Sequence, residues 1–205
     1  MIDKLLKDNL IWFPEMGIGY FPVTEFIYDD NYFNNYKGLS DTDIGTKLVQ
    51  ARISFVSKYF SGEVVDVGIG CGHFILSRKN TLGYDVNPAG IKWLKERNIY
   101  FDLYGKKKCD ALTFWDSLEH IHNPEKAIRQ AKEWVFVSMP IYDDLTHLLK
   151  SKHLKKNEHI WYFTHGGLVY WFSDNGFDLV EFTNEETQLG REGIVSYAFK
   201  KRKSG

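Results

Sequence analysis

Apolar positions along this chain fall into two registers. Ile44, Leu48, Ala51, Phe55, Val56 and Tyr59 recur at helical spacing, and Asp41-Thr42-Asp43 offers an N-cap ahead of them. A helix is therefore predicted from there to about Phe60. From Val64 onward the pattern changes to short apolar runs. Val64-Val65 with Val67, Thr81 to Val86, Ile99 to Asp102, Asp110 to Trp115 and Trp134 to Met139 read as five strands. Phe177 to Phe182 and Ile194 to Phe199 read as two more.

Helical signals separate these runs. His73 to Lys79 is a short helical segment, and Asn87-Pro88 caps and opens a helix through Lys95. Asn123-Pro124-Glu125 starts another. Thr164 caps a helix through Phe172, with Gly176 as its stop. Alternating strands and helices predict the α/β class. Two regions fit neither register. Residues 1 to 41 are aromatic and irregular, and are expected to form a satellite hydrophobic cluster on the main sheet. Residues 141 to 163 look inserted. Lys150, Lys152, Lys155 and Lys156, with His147 and His153, make their middle basic, which predicts a solvated helix or loop. Lys106-Lys107-Lys108 reads as a solvated turn, and Lys200 to Lys203 as a basic tail.

Composition narrows the class. The chain has 205 residues, which fits one domain, residues 1–205. Its formal net charge is −1, so it projects no global field toward nucleic acid or an anionic membrane. No stretch of about 18 apolar residues suggests a membrane span, and no basic-apolar leader opens the chain. Cys71 and Cys109 are the two cysteines, which build neither a disulfide framework nor a zinc pattern. A cytoplasmic protein with reduced thiols is expected.

The chemistry concentrates in Val64 to His73. Here a β-branched run ends in Gly68, Gly70 and Gly72, and Asp66 stands just before the glycines. Glycine-rich turns at the carboxyl end of a strand let backbone approach a ligand closely. A dinucleotide fingerprint would need a glycine where His73 stands, and the Gly-Lys-Ser/Thr of a P-loop is absent. Asp85 follows 19 residues after Asp66 at the next strand end, near the roughly 20-residue offset of a ribose-binding acid.

The remaining pattern, D-x-G-x-G-x-G, resembles motif I of class I S-adenosylmethionine-dependent methyltransferases. The resemblance covers about residues 60 to 200. It implies a Rossmann-like fold whose seven-stranded, mostly parallel sheet has an antiparallel last strand, with residues 61–205 as the cofactor-binding and catalytic core. It implies S-adenosyl-L-methionine as cofactor, held by Asp66, Gly68, Gly70, Gly72 and Asp85, with Trp115 and the loosely matching Asp102 completing the set. A cationic sulfonium suits an acidic neighbour. In related enzymes aromatic amino-terminal segments cover the cofactor, so residues 1–60 become a lid and helix with Tyr32 or Tyr36 as lid tyrosines.

The segment Asp116-Ser117-Leu118-Glu119-His120-Ile121 is similar to the acid-x-x-Leu-Glu-His of ubiquinone-biosynthesis O-methyltransferases. With the later Glu158-His159 it also resembles the metal set of small-RNA 2′-O-methyltransferases. By that likeness Asp116, Glu119, His120 and His159 are metal ligands, one helical turn placing the first three on one face. The implied activity is O-methylation of a small molecule or a nucleic-acid terminus, with His120, His159 and Tyr36 as catalytic candidates. The rival reading is a catalytically silent subunit of the same fold that binds a partner. The sequence does not specify the acceptor or the oligomeric state.

Overall fold

The computed structural model describes residues 5–7, 9–22, 42–156 and 158–203. Tyr32, Tyr36 and Asp41 therefore lie outside the described residues.

The apolar runs form the centre of one sheet. β4 (Val64–Val67), β5 (Thr81–Tyr84), β6 (Cys109–Trp115) and β7 (Ala131–Tyr142) are parallel, in the order β5-β4-β6-β7. β10 (Ile194–Lys201) runs antiparallel to β7 on one side and to β9 (Phe177–Thr183) on the other. β4 is buried along its whole length. Alternate residues face opposite sides. Val64 packs with Phe55, Val56, Ala111, Phe136 and Ala198, whereas Val65 packs with Leu112, Ile128, Val137, Phe172 and Phe199.

α1 (Asp43–Ser57) covers the first face, with Thr42 Oγ1 accepting from Gly45 N at 3.0 Å. α4 (Pro124–Ile128) and α6 (His165–Asp174) cover the second, and α6 has the predicted Thr164 cap. α2 (His73–Ser77) and α3 (Pro88–Glu96) follow β4 and β5, each near its predicted place. This is the Rossmann-like, mostly parallel arrangement that the motif implied.

Three expectations need correction. The third strand, Ile99 to Asp102, is a single bridge from Tyr100 to Gly83. Asp102 turns the chain at once, its Oδ1 accepting from Tyr104 N and its carbonyl from Gly105 N. Part of the amino-terminal region is regular: β1 (Leu5–Lys7), β2 (Leu10–Phe13) and β3 (Ile18–Tyr20) form an antiparallel meander. Residues 141 to 163 are not an insertion, since their ends enter the sheet, although their basic middle is the expected solvated helix and loop, with Lys150, Lys152 and Lys155 exposed. They hold the end of β7, α5 (Leu145–Lys150) and most of β8 (Trp161–Thr164), which pairs with β3 and β7.

One cause explains the last two. Leu10, Trp12, Tyr142, Leu148 and Tyr162 bury one another in a second small core, so the aromatic cluster expected of the amino terminus is organised by strands. The two cores meet closely: a Cβ on Gly167 would lie 2.2 Å from the Gly17 carbonyl oxygen.

At the other end of the sheet, buried Arg78 ties two connections together. Its guanidinium donates to the carbonyls of Phe60 (3.3 Å), Gly62 (2.9 Å), Lys79 (3.2 Å) and Asn80 (3.2 Å). Truncation removes the four hydrogen bonds that tie the two connections. Arg78→Ala is expected to cost about 2–3 kcal/mol, read as a lowered urea midpoint at unchanged slope. Arg78→Lys should recover only part of it, since one ammonium cannot span both connections.

Candidate functional site

The loop after β4 is shaped by its glycines. Gly68, Gly70 and Gly72 have φ of 78°, 54° and 81°, a region that side chains with a Cβ rarely enter. A Cβ at Gly68 would sit 2.7 Å from Ser117 Cβ, and one at Gly72 would meet the Trp93 ring at 2.6 Å. The loop is fastened from below: Asp85 Oδ2 accepts from Ile69 N at 3.0 Å while Oδ1 accepts from Asn87 N at 2.8 Å. Asp85 thus joins the ends of β4 and β5.

A cleft of 780 Å³ opens above this loop, at the carboxyl ends of the parallel strands. Asp66, Gly68, Gly70, Asp85, Trp115, Asp116 and His120 line it, so most of the residues singled out from sequence meet there. Gly72 sits one step behind, on Trp93. Asp66 is 1% exposed and its Oδ1 accepts from Thr113 Oγ1 at 2.8 Å. Burial pushes its carboxyl up to about 7, against the opposing pull of the Thr113 hydrogen bond and Arg52. Burial also raises Asp85, with its backbone donors opposing.

Asp102 is absent from the lining, because its carboxylate is spent on its own turn and its side chain is exposed. Tyr104 lines the cleft in that region. It lies edge-on to Tyr84, with the Lys126 ammonium 5.3 Å from its ring centre. Nothing in a single tyrosine two residues past the strand signalled this.

The rim holds a cluster of four charges. Arg52 donates to Glu186 from Nε (2.8 Å) and to Asp116 from an η nitrogen (3.1 Å). Arg191 reaches Asp116 at 2.9 Å and Glu186 at 2.5 Å. Glu186, 1% exposed, belongs to α7 (Glu185–Gln188) and also accepts from Ser138 Oγ. Burial alone would raise Asp116, but Arg191 and Arg52 reverse that and hold it below the usual carboxylate range. Arg52 and Arg191 both line the cleft. Arg52 reads from sequence as a surface ion pair; it is instead part-buried and lies 5.1 Å from the Trp115 ring centre.

The expected helical face of Asp116, Glu119 and His120 does not form. Asp116 has φ of 54°, and only Leu118–His120 makes a short 3₁₀ turn. Asp116 therefore points to the arginines, while Glu119, His120 and His159 converge, with possible ligand atoms all within 4.8 Å of one another. His120 and His159 rings meet edge to face at 4.7 Å. Glu119 is 1% exposed and neither carboxylate oxygen has a hydrogen-bond partner. Burial, reinforced by Asp116, raises its carboxyl to about 8. His120 Nδ1 donates to the Glu158 carbonyl at 2.9 Å, and burial lowers its pKa. Burial and the neighbouring His120 lower His159 to about 3. Both imidazoles are thus neutral at pH 7.

The comparisons bear on this geometry. A family model described as a methyltransferase domain matches residues 45–182. A search of curated proteins returns no match to the chain. Among solved structures, the magnesium protoporphyrin IX methyltransferase of Synechocystis PCC 6803, with bound SAH, is similar at TM-score 0.57 and 15% identity, over 84% of this chain and 95% of that one. A SAM-dependent methyltransferase from Archaeoglobus fulgidus aligns at TM-score 0.58 and 16% identity, over 83% and 100%. The 1,6-didemethyltoxoflavin-N1-methyltransferase of Burkholderia thailandensis, with 1,6-didemethyltoxoflavin and S-adenosylhomocysteine bound, aligns at TM-score 0.58 and 11% identity, over 97% and 98%. At such identities the likeness concerns the fold. The family match spans most of the chain and includes the glycine loop, both acid-bearing strand ends and the His120 turn, so this chain belongs to the methyltransferase-domain family and is an enzyme of that family.

Proposed function

We propose that this chain transfers a methyl group from S-adenosyl-L-methionine to an oxygen of a small molecule or a nucleic-acid terminus. The observation that carries the reading is the cleft itself, which joins a buried acid, a half-buried acid, a glycine floor and a neutral histidine. The cofactor fits the residues present. Asp66 and Asp85 offer carboxylates to its cationic end and ribose, and buried Trp115 Nε1 is a donor without a partner at the cleft wall. When bound, the cofactor supplies an electrophilic methyl on a sulfonium with a good leaving group.

The chain's own task is alignment and removal of a proton. His120 faces the cleft and keeps its Nδ1 proton on the Glu158 carbonyl. That tautomer leaves Nε2 as the base for an acceptor hydroxyl. His159 packs edge-on against His120 and orients it. Tyr36 stays in the proposal as a lid residue on sequence grounds only.

A second reading has its own observation. Glu119, His120 and His159 offer one carboxylate and two neutral imidazoles around one point, and the carboxylate oxygens lack partners. This donor set fits manganese, iron, cobalt or zinc better than magnesium. An ion held there would lower the pKa of an acceptor hydroxyl. Asp116, committed to two arginines, is dropped from the ligand set. The catalytically silent subunit is the reading that loses support, because enzyme membership follows from the family.

Cofactor binding tests the first reading. Asp85→Ala should weaken S-adenosylhomocysteine binding in calorimetry by roughly 1–3 kcal/mol; an unchanged affinity removes Asp85 from the site. Asp66 adds a pH signature. Its folded pKa near 7 lies above the ordinary carboxylate value, so a cationic ligand must expel a proton below that pH. S-adenosylmethionine affinity should rise with pH up to about 7 and then level off. Asp66→Asn should flatten the profile.

Metal loading tests the second reading. Cobalt added to chelator-treated protein and then desalted should remain bound and give a visible ligand-field spectrum. His159→Ala should lose it, and His147→Ala, at an exposed histidine outside the cluster, should keep it. Wild-type protein that retains no cobalt leaves His120 as a plain general base.

A further inference from the structure

The end of the sheet opposite the cleft gathers positive charge from three runs far apart in sequence. Lys106, Lys107 and Lys108 lead into β6, Arg129 and Lys132 flank the start of β7, and Lys200 to Lys203 close β10. These strand ends are neighbours: Cys109 pairs with Ala131 across β6 and β7, and Lys200 with Trp134 across β7 and β10. At about 4.8 Å per strand the three backbones lie within roughly 10 Å.

The charges feel one another. Lys108 and Arg129, after burial, lower the Lys201 ammonium, which donates to the Ala131 carbonyl at 2.8 Å. Lys132 is matched by Asp110 at 2.9 Å and Arg202 by Asp178 at 2.8 Å. Among the described residues, Lys106, Lys107, Lys108, Arg129, Lys200, Lys201 and Lys203 make no ion pair; the other acids at this end are Glu63 and Glu133. All seven except Lys201 are exposed. Like charges crowded without counter-charge destabilise a fold, and a polyanion relieves them.

We propose that this end of the sheet is a docking surface for the phosphate backbone of a nucleic acid. The choice over an anionic membrane rests on what surrounds the lysines. Interfacial binding needs apolar side chains to insert. Among the described residues the exposed large hydrophobics are Ile44, Leu76, Val86, Tyr104, Tyr170, Val180 and Phe182; Tyr104, two residues before Lys106, lines the cleft, and Trp134 and Phe177 beside the strand ends are buried. Among the described residues no exposed aromatic belongs to these strand ends, so contact is to phosphates and is sequence-independent. The strand ends at Lys108, Arg129 and Lys200 are about 20 Å from the cleft by the length of β6, and Lys106, two residues after the cleft-lining Tyr104, lies on the way between them, so the surface anchors a long chain at a distance from the chemistry. It goes beyond the methyl-transfer reading and does not depend on it.

Fluorescence anisotropy with a labelled DNA duplex and a labelled single-stranded RNA, without any methyl donor, tests the surface in the full chain. Binding is expected at low salt, with log affinity falling steeply and linearly against log salt. A Lys108→Glu, Arg129→Glu, Lys200→Glu, Lys203→Glu variant should lose at least about tenfold in affinity and flatten the salt slope. Lys47→Glu with Lys92→Glu, away from these strand ends, should change neither. Absence of binding at low salt, or equal affinity in the fourfold variant, overturns the proposal. So does capture by phosphatidylserine vesicles with none by either nucleic acid. Any of these outcomes leaves cofactor titrations, and the methyl-transfer reading with them, untouched.

Discussion

Two guanidiniums and two carboxylates, closed into a ring, set the mouth of the cleft. Arg52 comes from α1, Asp116 from the turn after β6, Glu186 from α7 and Arg191 from the approach to β10. Each is largely removed from water, and a buried charge is tolerated only with its partners in good geometry. Loss of any one member leaves an uncompensated charge, so the four elements are held in mutual register. The ring also holds Asp116 at a positive φ, which sends the following residues into a 3₁₀ turn instead of a helix. That turn brings His120 into the cleft and Glu119 into the buried pocket beside His159.

Against this rim the glycine-loop side of the cleft works through backbone. Asp85 spends hydrogen bonds on Ile69 and Asn87, so its first role is to brace the glycine loop. Asp66 is the opposite case, a carboxylate with one short hydroxyl donor and almost no water. Burial makes its ionised form costly, and a bound cation would restore it. Groups kept away from their preferred charge state tend to mark functional sites. Glu119 belongs to the same class, with two orphaned oxygens.

The sheet is polarised along its strands. Its carboxyl end carries the cleft, where acids and arginines balance. Its other end carries lysines from three separate runs. β7 spans both, and its last residues, Ile141 and Tyr142, step onto β8 and so attach the small amino-terminal meander. A net charge near zero hides this division, because it sums over two ends that differ.

Local chemistry made much of this legible in the chain itself. Short β-branched runs, Thr42, Asn87 and Thr164 as caps, and glycines two apart act over a few residues, so the central strands, their helices and the loop under the cleft follow from sequence. Asp66, Asp85 and His120 follow too, since each sits at a strand end or in a short motif. What tertiary structure decided depended on contacts between distant segments. The helical face expected of Asp116 failed because Arg191 and Arg52, 75 and 64 residues away, hold its carboxylate elsewhere. Tyr104 replaced Asp102 at the cleft because a local turn consumed the acid. β8 escaped notice because its partner β3 lies in another part of the chain, and pairing between distant strands leaves no trace in the periodicity of either.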